Sequence, residues 1–441
     1  MSHRRRRLSR EPVTATIESL SHEGRGVTHI DGKTVFVNET LPGETVSFQY
    51  TRQFSRYSEA IPLEILEPSP ERIPAKCDFF SICGGCSFQH VSLGFQIKHK
   101  QQALSEQLQH IGGIQPRVWL PPLTGPTWGY RRRARLAVKY IEKKQRLLVG
   151  FREKNSPFVA DISHCEVLHP AVGNLLEPLQ DLISGLSVVR QLPQIEIAVA
   201  DNTVALVFRH LQALTDADRN LLEAFEARYG IRVYLQPGGL NTVTPLKTDR
   251  EEPLFYYLGQ PPIKYFFLPT DFIQVNARIN EAMVEQAIQL LALDGSQQVL
   301  DLFCGLGNFS LPLARKSKNV TAIEGDAGLI ERARNNAEHN NINNIKFLTV
   351  NLTDDKIISE FMANTYDRVL LDPPRTGADI IIRQLNNKSV DRIVYVSCNS
   401  ATLARDASIL VNEMGYRLEL AGVMDMFPQT AHIESIALFS R

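Results

Sequence analysis

The chain has 441 residues, too many for one ordinary core, and reads as roughly two to four domains. Its hydrophobic (43%) and charged (22%) fractions are those of a globular protein, and its 48 basic and 48 acidic side chains cancel, so bulk charge points to no partner. No apolar run approaches the roughly twenty residues needed to span a bilayer.

The first ten residues, MSHRRRRLSR, form a basic tail with five arginines and no acid. Such a cluster can neutralise phosphates, or serve as a solvated end or an organelle-targeting presequence. No signal-peptide pattern is present, so the cytoplasm is the expected compartment. Residues 11–69 hold short alternating segments, TATIESL, KTVFVNE, ETVSFQYT and YSEAIPLEIL, separated by EGRGV, IDGK and LPGE. Strands joined by such turns predict a small antiparallel barrel of OB-like form.

Residues 70–92 crowd Cys77, Cys83 and Cys86 into KCDFFSICGGCSFQH. Cys165 stands alone in DISHCEVLH, and Cys304 and Cys398 lie far downstream. Six cysteines so spread are too few for a disulfide framework, and the three groups imply three separate jobs. Over 93–127, FQIKHKQQALSEQLQH predicts a helix that packs on the catalytic domain and ends at Gly112-Gly113.

Residues 128–267 mix strands with one or two helices and predict a central α+β domain. It opens on GYRRRARLAV, where Arg131, Arg133 and Arg135 alternate as on a strand that shows guanidinium groups on one face, a candidate RNA contact. Phe266 and Phe267 in KYFFLP suit either base stacking or core packing.

From 268 to 441, helices alternate with buried strands, the pattern of a doubly wound, Rossmann-like α/β sheet that gathers ligands at the carboxyl ends of its strands. DLFCGLGN supplies a strand end with Gly305 and Gly307 for a tight turn that a ligand can approach closely. Glu324 closes the next strand at the spacing where an acid accepts hydrogen bonds from both ribose hydroxyls. A dehydrogenase uses a similar acid but a fuller GxGxxG, and here the third glycine position is Ser310. DLFCGLGNFS instead resembles the first motif of S-adenosylmethionine-dependent methyltransferases.

Asp372 precedes Pro373-Pro374-Arg375, and the prolines stiffen the loop into a rigid rim. In amino-methylating enzymes a related loop ends in an aromatic that cradles the amine. Arg375 at that place argues against transfer to an exocyclic nitrogen. Cys398, in VYVSCNS, offers a different chemistry. Carbon 5 of uracil is a poor nucleophile until a thiolate adds at carbon 6 and creates an enolate. A base must afterwards remove the carbon-5 proton; Glu434 in TAHIESIAL is the candidate, with His432, two residues away on the same expected strand face, its rival. Taken singly, Cys398 is equally a small buried residue and Glu434 a surface carboxylate.

FIQVN, DLFCGLGN, LLDPPR, VSCN and HIES occur in the order found in the RNA uracil-5-methyltransferases, and the chain resembles that family over nearly its whole length. The resemblance implies S-adenosyl-L-methionine as cofactor, held by Gln274, Phe303, Asn308, Glu324, Asn351 and Asp372, with Cys398 as nucleophile and Glu434 as base. Ser400 departs from the proline common after SCN, which predicts a looser loop; Cys304 reads as packing. EGRGVTHIDGKTVFVNETLPGETV resembles a TRAM domain, an RNA-binding barrel that transfer-RNA members generally lack.

Cys77, Cys83 and Cys86, spaced C-x5-C-x2-C, together with Cys165 resemble the four-cysteine [4Fe-4S] site of the branch that acts on 23S ribosomal RNA; by donor chemistry alone four thiolates suit zinc equally. The expected partner is therefore 23S ribosomal RNA, with no membrane and no obligate protein partner evident. The competing expectations are a family member acting on transfer RNA or another 23S uridine, and a non-enzymatic iron–sulfur RNA-binding protein that needs only the first 170 or so residues.

Overall fold

The computed structural model describes residues 11–248, 252–352, 365–385 and 390–441, and the chain divides into two units. The basic tail at 1–10 lies outside the described residues.

The first unit comprises the chain up to Ala103 together with Phe427–His432. Its six-stranded sheet runs Val13–Thr16, Thr45–Gln53, Tyr57–Glu67, Lys33–Val37, Gly26–Ile30, Ser19–Leu20, antiparallel except where Lys33–Val37 meets Tyr57–Glu67. The hairpin from Ile30 to Lys33 turns on Asp31 and Gly32, with φ of 50° and 75°. An Asp-Gly pair with both residues left-handed matches the twist of the flanking strands. Alternation along the strands sends Val35, Val37, Val46, Phe48 and Ala60 into one core with Ile17. A second cluster joins Leu41, Phe88, Val91 and Ala431.

The helix Leu93–Gln107 continues as a π-helical turn, Leu108–Gly112, and ends on left-handed Gly113. The remaining residues, Leu104–Met426 and Ile433–Arg441, form the second unit. Its central sheet runs Thr244–Pro245, Arg232–Gln236, Val204–Arg209, Gln194–Val199, Arg133–Ile141, Arg146–Gly150. The helix Asp216–Tyr229 starts at a capping box between Thr215 and Asp218, which satisfies amides the first turn leaves open. A separate hairpin pairs Leu254–Leu258 with Ile263–Phe267.

The third assembly of strands is the α/β sheet expected from the alternating pattern. Its order is Ile345–Thr349, Asn319–Glu324, Gln298–Leu302, Arg368–Leu371, Arg392–Ser397, Glu434–Ser440, Arg417–Met424, Val118–Trp119. The first five strands are parallel, but Glu434–Ser440 runs antiparallel to Arg392–Ser397 and to Arg417–Met424. The sheet is thus mixed at one side, and Val118–Trp119, from outside 268–441, supplies an edge strand parallel to Arg417–Met424. Among the described residues no helix is long and apolar enough to cross a membrane.

Candidate active site

Four loops at the carboxyl ends of the parallel strands and the start of one antiparallel strand meet around a cavity of about 490 Å³. Gln274, Phe303, Asn308, Glu324, Asp372, Cys398 and Glu434 all line it. Asn351 does not: it lies exposed just past Ile345–Thr349.

The glycine turn has the shape a ligand needs. Phe303 takes a left-handed φ of 65°, a costly conformation for a bulky residue and one that tends to mark functional loops. At Gly305, φ is 53° and nothing lies within 4 Å of where a Cβ would stand. The opposite holds at Gly307, where a Cβ would sit 2.4 Å from Leu311. Tyr265 donates its hydroxyl to the Gly307 carbonyl at 3.3 Å and stacks on Tyr256, itself a wall of the cavity, with ring centroids 5.0 Å apart.

Glu324 is held from both sides: Oε2 accepts from the Gly305 amide at 3.1 Å, and Oε1 from Gly325 at 2.7 Å. The carboxylate therefore faces the turn with lone pairs left for ribose hydroxyls. Asn308 also lines the cavity, but its amide forms a reciprocal pair with Asn280, 2.9 Å in both directions. Beneath the turn Asp301 is fully buried, accepts from Ser310 Oγ, and is pushed up to about 7 by burial.

Cys398 and Glu434 meet through sheet register. Ser397 pairs with Ser435 across the antiparallel strands, so Cys398 and Glu434 are the next residues beyond the ladder. Burial, then the carboxylates of Glu434 and Asp372, push the Cys398 thiol up to about 11, while Arg375 works in the opposite direction. Asp372 is raised well above the usual carboxylate range by burial and by Glu434, which favours a protonated carboxyl able to donate.

Ser400 occupies the first turn of the helix Ser400–Ser408, where Asn399 is the N-cap and accepts from the Ala401 amide at 3.1 Å. Proline is favoured at that position because its missing N–H has no helical acceptor, so the serine forfeits no hydrogen bond. Asn399 fixes the turn instead. His432 lies before the strand that begins at Glu434, in the segment belonging to the first unit, edge-on to Phe427 at 4.8 Å. It therefore does not share a strand face with Glu434. Cys304 is buried and its thiol is pushed well up by desolvation, in line with packing.

Among the described residues no group of three or more His, Cys, Asp and Glu side chains is gathered as a metal site. Cys77, Cys83 and Cys86 lie partly buried in the first unit, and Cys165, also partly buried, belongs to the second. The Gly85 amide contacts Cys83 Sγ at 3.4 Å, an arrangement that suits a thiolate ligand.

The three arginines are not one exposed row. Arg131 precedes the strand and donates to the Arg133 carbonyl. Arg133 is largely buried, bonded to the Pro269 carbonyl and paired with Glu196. Arg135 is 66% exposed, though it too pairs with Glu196, at 2.9 Å. Phe267 is buried and Phe266 packs edge-on to His339, so both serve the core. Sequence reasoning missed Tyr256 and Phe272 in the cavity wall; Phe272, 69% exposed and two residues before Gln274, was within reach of the FIQVN motif.

Residues 6–62 match the TRAM domain. The chain is 51% identical over its full length to a protein of Alkalilimnicola ehrlichii named 23S rRNA (uracil(1939)-C(5))-methyltransferase RlmD, and covers 99% of it. It is 49% identical to a protein of the same name from Nitrosococcus oceani, again covering 99%. The crystal structure of Pyrococcus abyssi tRNA (uracil-54, C5)-methyltransferase in complex with S-adenosyl-L-homocysteine shares the fold, with a TM-score of 0.74 at 24% identity over 97% of this chain and all of that one. Since residues 93–441 match the model described as tRNA (Uracil-5-)-methyltransferase, the chain belongs to that family.

Proposed function

We propose that this protein methylates carbon 5 of a uridine in 23S ribosomal RNA, the position numbered 1939 in the names of its relatives, with S-adenosyl-L-methionine as methyl donor. The observation that carries the reading is one cavity lined by a glycine turn, a ribose-seeking acid, a thiol and a second carboxylate. Glu324 and the open space at Gly305 fit the nucleoside part of the donor, and Gln274, Phe303, Asn308 and Asp372 would complete the site. Asn351, exposed beyond the cavity, has weaker support.

The donor supplies an electrophilic methyl group on a sulfonium. The Cys398 thiolate adds to carbon 6 of the uracil; the sulfur–carbon bond forms as the 5,6 double-bond electrons move toward the 4-oxygen. Carbon 5 then takes the methyl, and the donor leaves as a neutral thioether. Glu434 removes the proton from carbon 5, the 5,6 double bond returns, and the thiolate leaves carbon 6. Protonated Asp372 is suited to donate to a uracil carbonyl as charge builds there. The base must be unstacked to reach the thiol, so flipping or a folded single-stranded loop is required.

The fold does not choose the RNA, because a transfer-RNA enzyme shares it over 97% of the chain. The choice of 23S RNA rests on the full-length relatives. Incubation with labelled donor and unmodified 23S or transfer RNA, followed by nuclease mapping, tests it; label confined to transfer RNA would refute it. Arg135 and the basic tail are the proposed RNA contacts of the arginine clusters, since Arg135 stays 66% exposed beside Glu196 whereas Arg133 is largely buried and Arg131 bonds back to the Arg133 carbonyl.

A [4Fe-4S] cluster on Cys77, Cys83, Cys86 and Cys165 is proposed on the resemblance of the cysteine pattern to the four-cysteine site of the 23S ribosomal-RNA branch, with the Gly85 contact to Cys83 as support. Bound, it would serve as a structural centre. Anaerobic purification with iron and sulfide analysis checks it, and zinc without iron would reject it.

A further inference from the structure

Gln274 and Asn308 both line the cavity, and one helix of the second unit is tied to each of them. Gln274 stands two residues before Asn276, the N-cap of the helix Ala277–Leu291. Asn276 Oδ1 accepts from the Ile279 amide at 3.4 Å, and its carbonyl accepts from the Asn280 amide at 2.9 Å. Asn280, in that first turn and only 4% exposed, reaches across to the glycine turn. Its Nδ2 donates to Asn308 Oδ1 at 2.9 Å, and its Oδ1 accepts from Asn308 Nδ2 at 2.9 Å.

Packing does not require this pair. The helix already buries Ile279, Met283, Val284, Ala287, Leu290 and Leu291. Two apolar side chains in place of the amides would fill the space with no hydrogen bonds to match. What the reciprocal pair adds is direction. It uses one N–H and one lone pair of the Asn308 amide and leaves the others on a half-buried side chain that lines the cavity. A lone side chain there would turn among rotamers, whereas a paired one is set before a ligand arrives, so binding avoids the entropy of ordering it.

We infer that Asn280 is a positioning residue for the methyl donor: it holds Asn308, and with it the glycine turn, in register with the segment that carries Gln274. The inference rests on the cavity being the donor site. It assigns Asn280 to donor affinity and not to the chemical step, which needs Cys398.

The test compares Asn280→Ala, Asn308→Ala and the double variant in the full-length protein. S-adenosylhomocysteine is titrated calorimetrically without RNA, thermal unfolding is followed alongside, and donor KM and kcat are measured with 23S RNA. For Asn280→Ala the expected result is a dissociation constant raised about fivefold or more, a donor KM raised by a similar factor, and kcat within about twofold of wild type. The double variant should bind no more weakly than Asn308→Ala, because Asn280 acts through Asn308. Wild-type affinity in either single variant overturns the inference, as do single effects that multiply in the double variant, or a fall in kcat at unchanged KM. If Asn280→Ala does not fold, Asn280→Leu, which fills the space with an apolar group, decides by the same criteria. Failure of the wild-type protein itself to bind the donor analogue would instead strike down the donor site.

Discussion

Asn399 Nδ2 donates to the Arg375 carbonyl at 3.0 Å, tying the loop that carries Cys398 to the loop that carries Asp372. The same side chain caps the helix Ser400–Ser408 through Oδ1. Ser397 adds a second clamp, since its hydroxyl donates to the Asn399 carbonyl and accepts from the Asn399 amide. Cys398 and the rim are therefore positioned as one piece.

Replacing Asn399 by Ala removes both the cap and the tie. Loss of a cap costs about 1 kcal/mol, so a modest fall in unfolding temperature is expected. The rate of adduct formation should fall by about tenfold or more, beyond what the stability change explains. Full activity at reduced stability would show that Asn399 is only a cap.

Cys398→Ala should abolish methyl incorporation and covalent trapping by 5-fluorouridine RNA, while donor binding persists. The cavity holds no other thiol suited to the step, since Cys304 is buried and its thiol pushed well above the normal range. Undiminished methylation by the variant would exclude the covalent route.

The thiol's response to pH has a definite sign. Its ionised form is disfavoured by burial and by two acidic neighbours, so the thiolate fraction of the free protein should climb with pH towards a midpoint of about 11. Alkylation of Cys398 by iodoacetamide, followed by mass spectrometry, measures it. Glu434→Gln removes a repelling charge and should move the midpoint down; Arg375→Ala removes an attracting one and should move it up. A profile centred near the ordinary thiol value, unchanged by both variants, would contradict this account.

Glu324→Ala deletes the acid that accepts from the Gly305 amide and lines the cavity where the ribose is proposed to bind. Hydrogen bonds to a charged partner contribute about 1.5–3 kcal/mol, which corresponds to methyl-donor affinity weaker by roughly 10- to 150-fold. Calorimetric titration with S-adenosylhomocysteine checks it, and unchanged affinity would move the ribose elsewhere.

The sequence by itself determined the parallel part of the sheet, because strands such as Gln298–Leu302 and Arg368–Leu371 are short, mostly apolar runs of the kind a sheet buries on both faces. It also singled out the glycine turn, Glu324 and Cys398, which the structure brings to one cavity. Tertiary structure alone decided which polar groups remain available. Arg133 alternates correctly for a surface row yet is buried against Glu196 and Pro269, and Asn308 spends its amide on Asn280. Above all, it decided that Glu434 meets Cys398. Glu434–Ser440 is buried along nearly its whole length, so no alternation reveals its direction. Because that strand runs antiparallel, its first residue falls beside the last residues of Arg392–Ser397; a parallel strand would have left Glu434 at the far edge of the sheet.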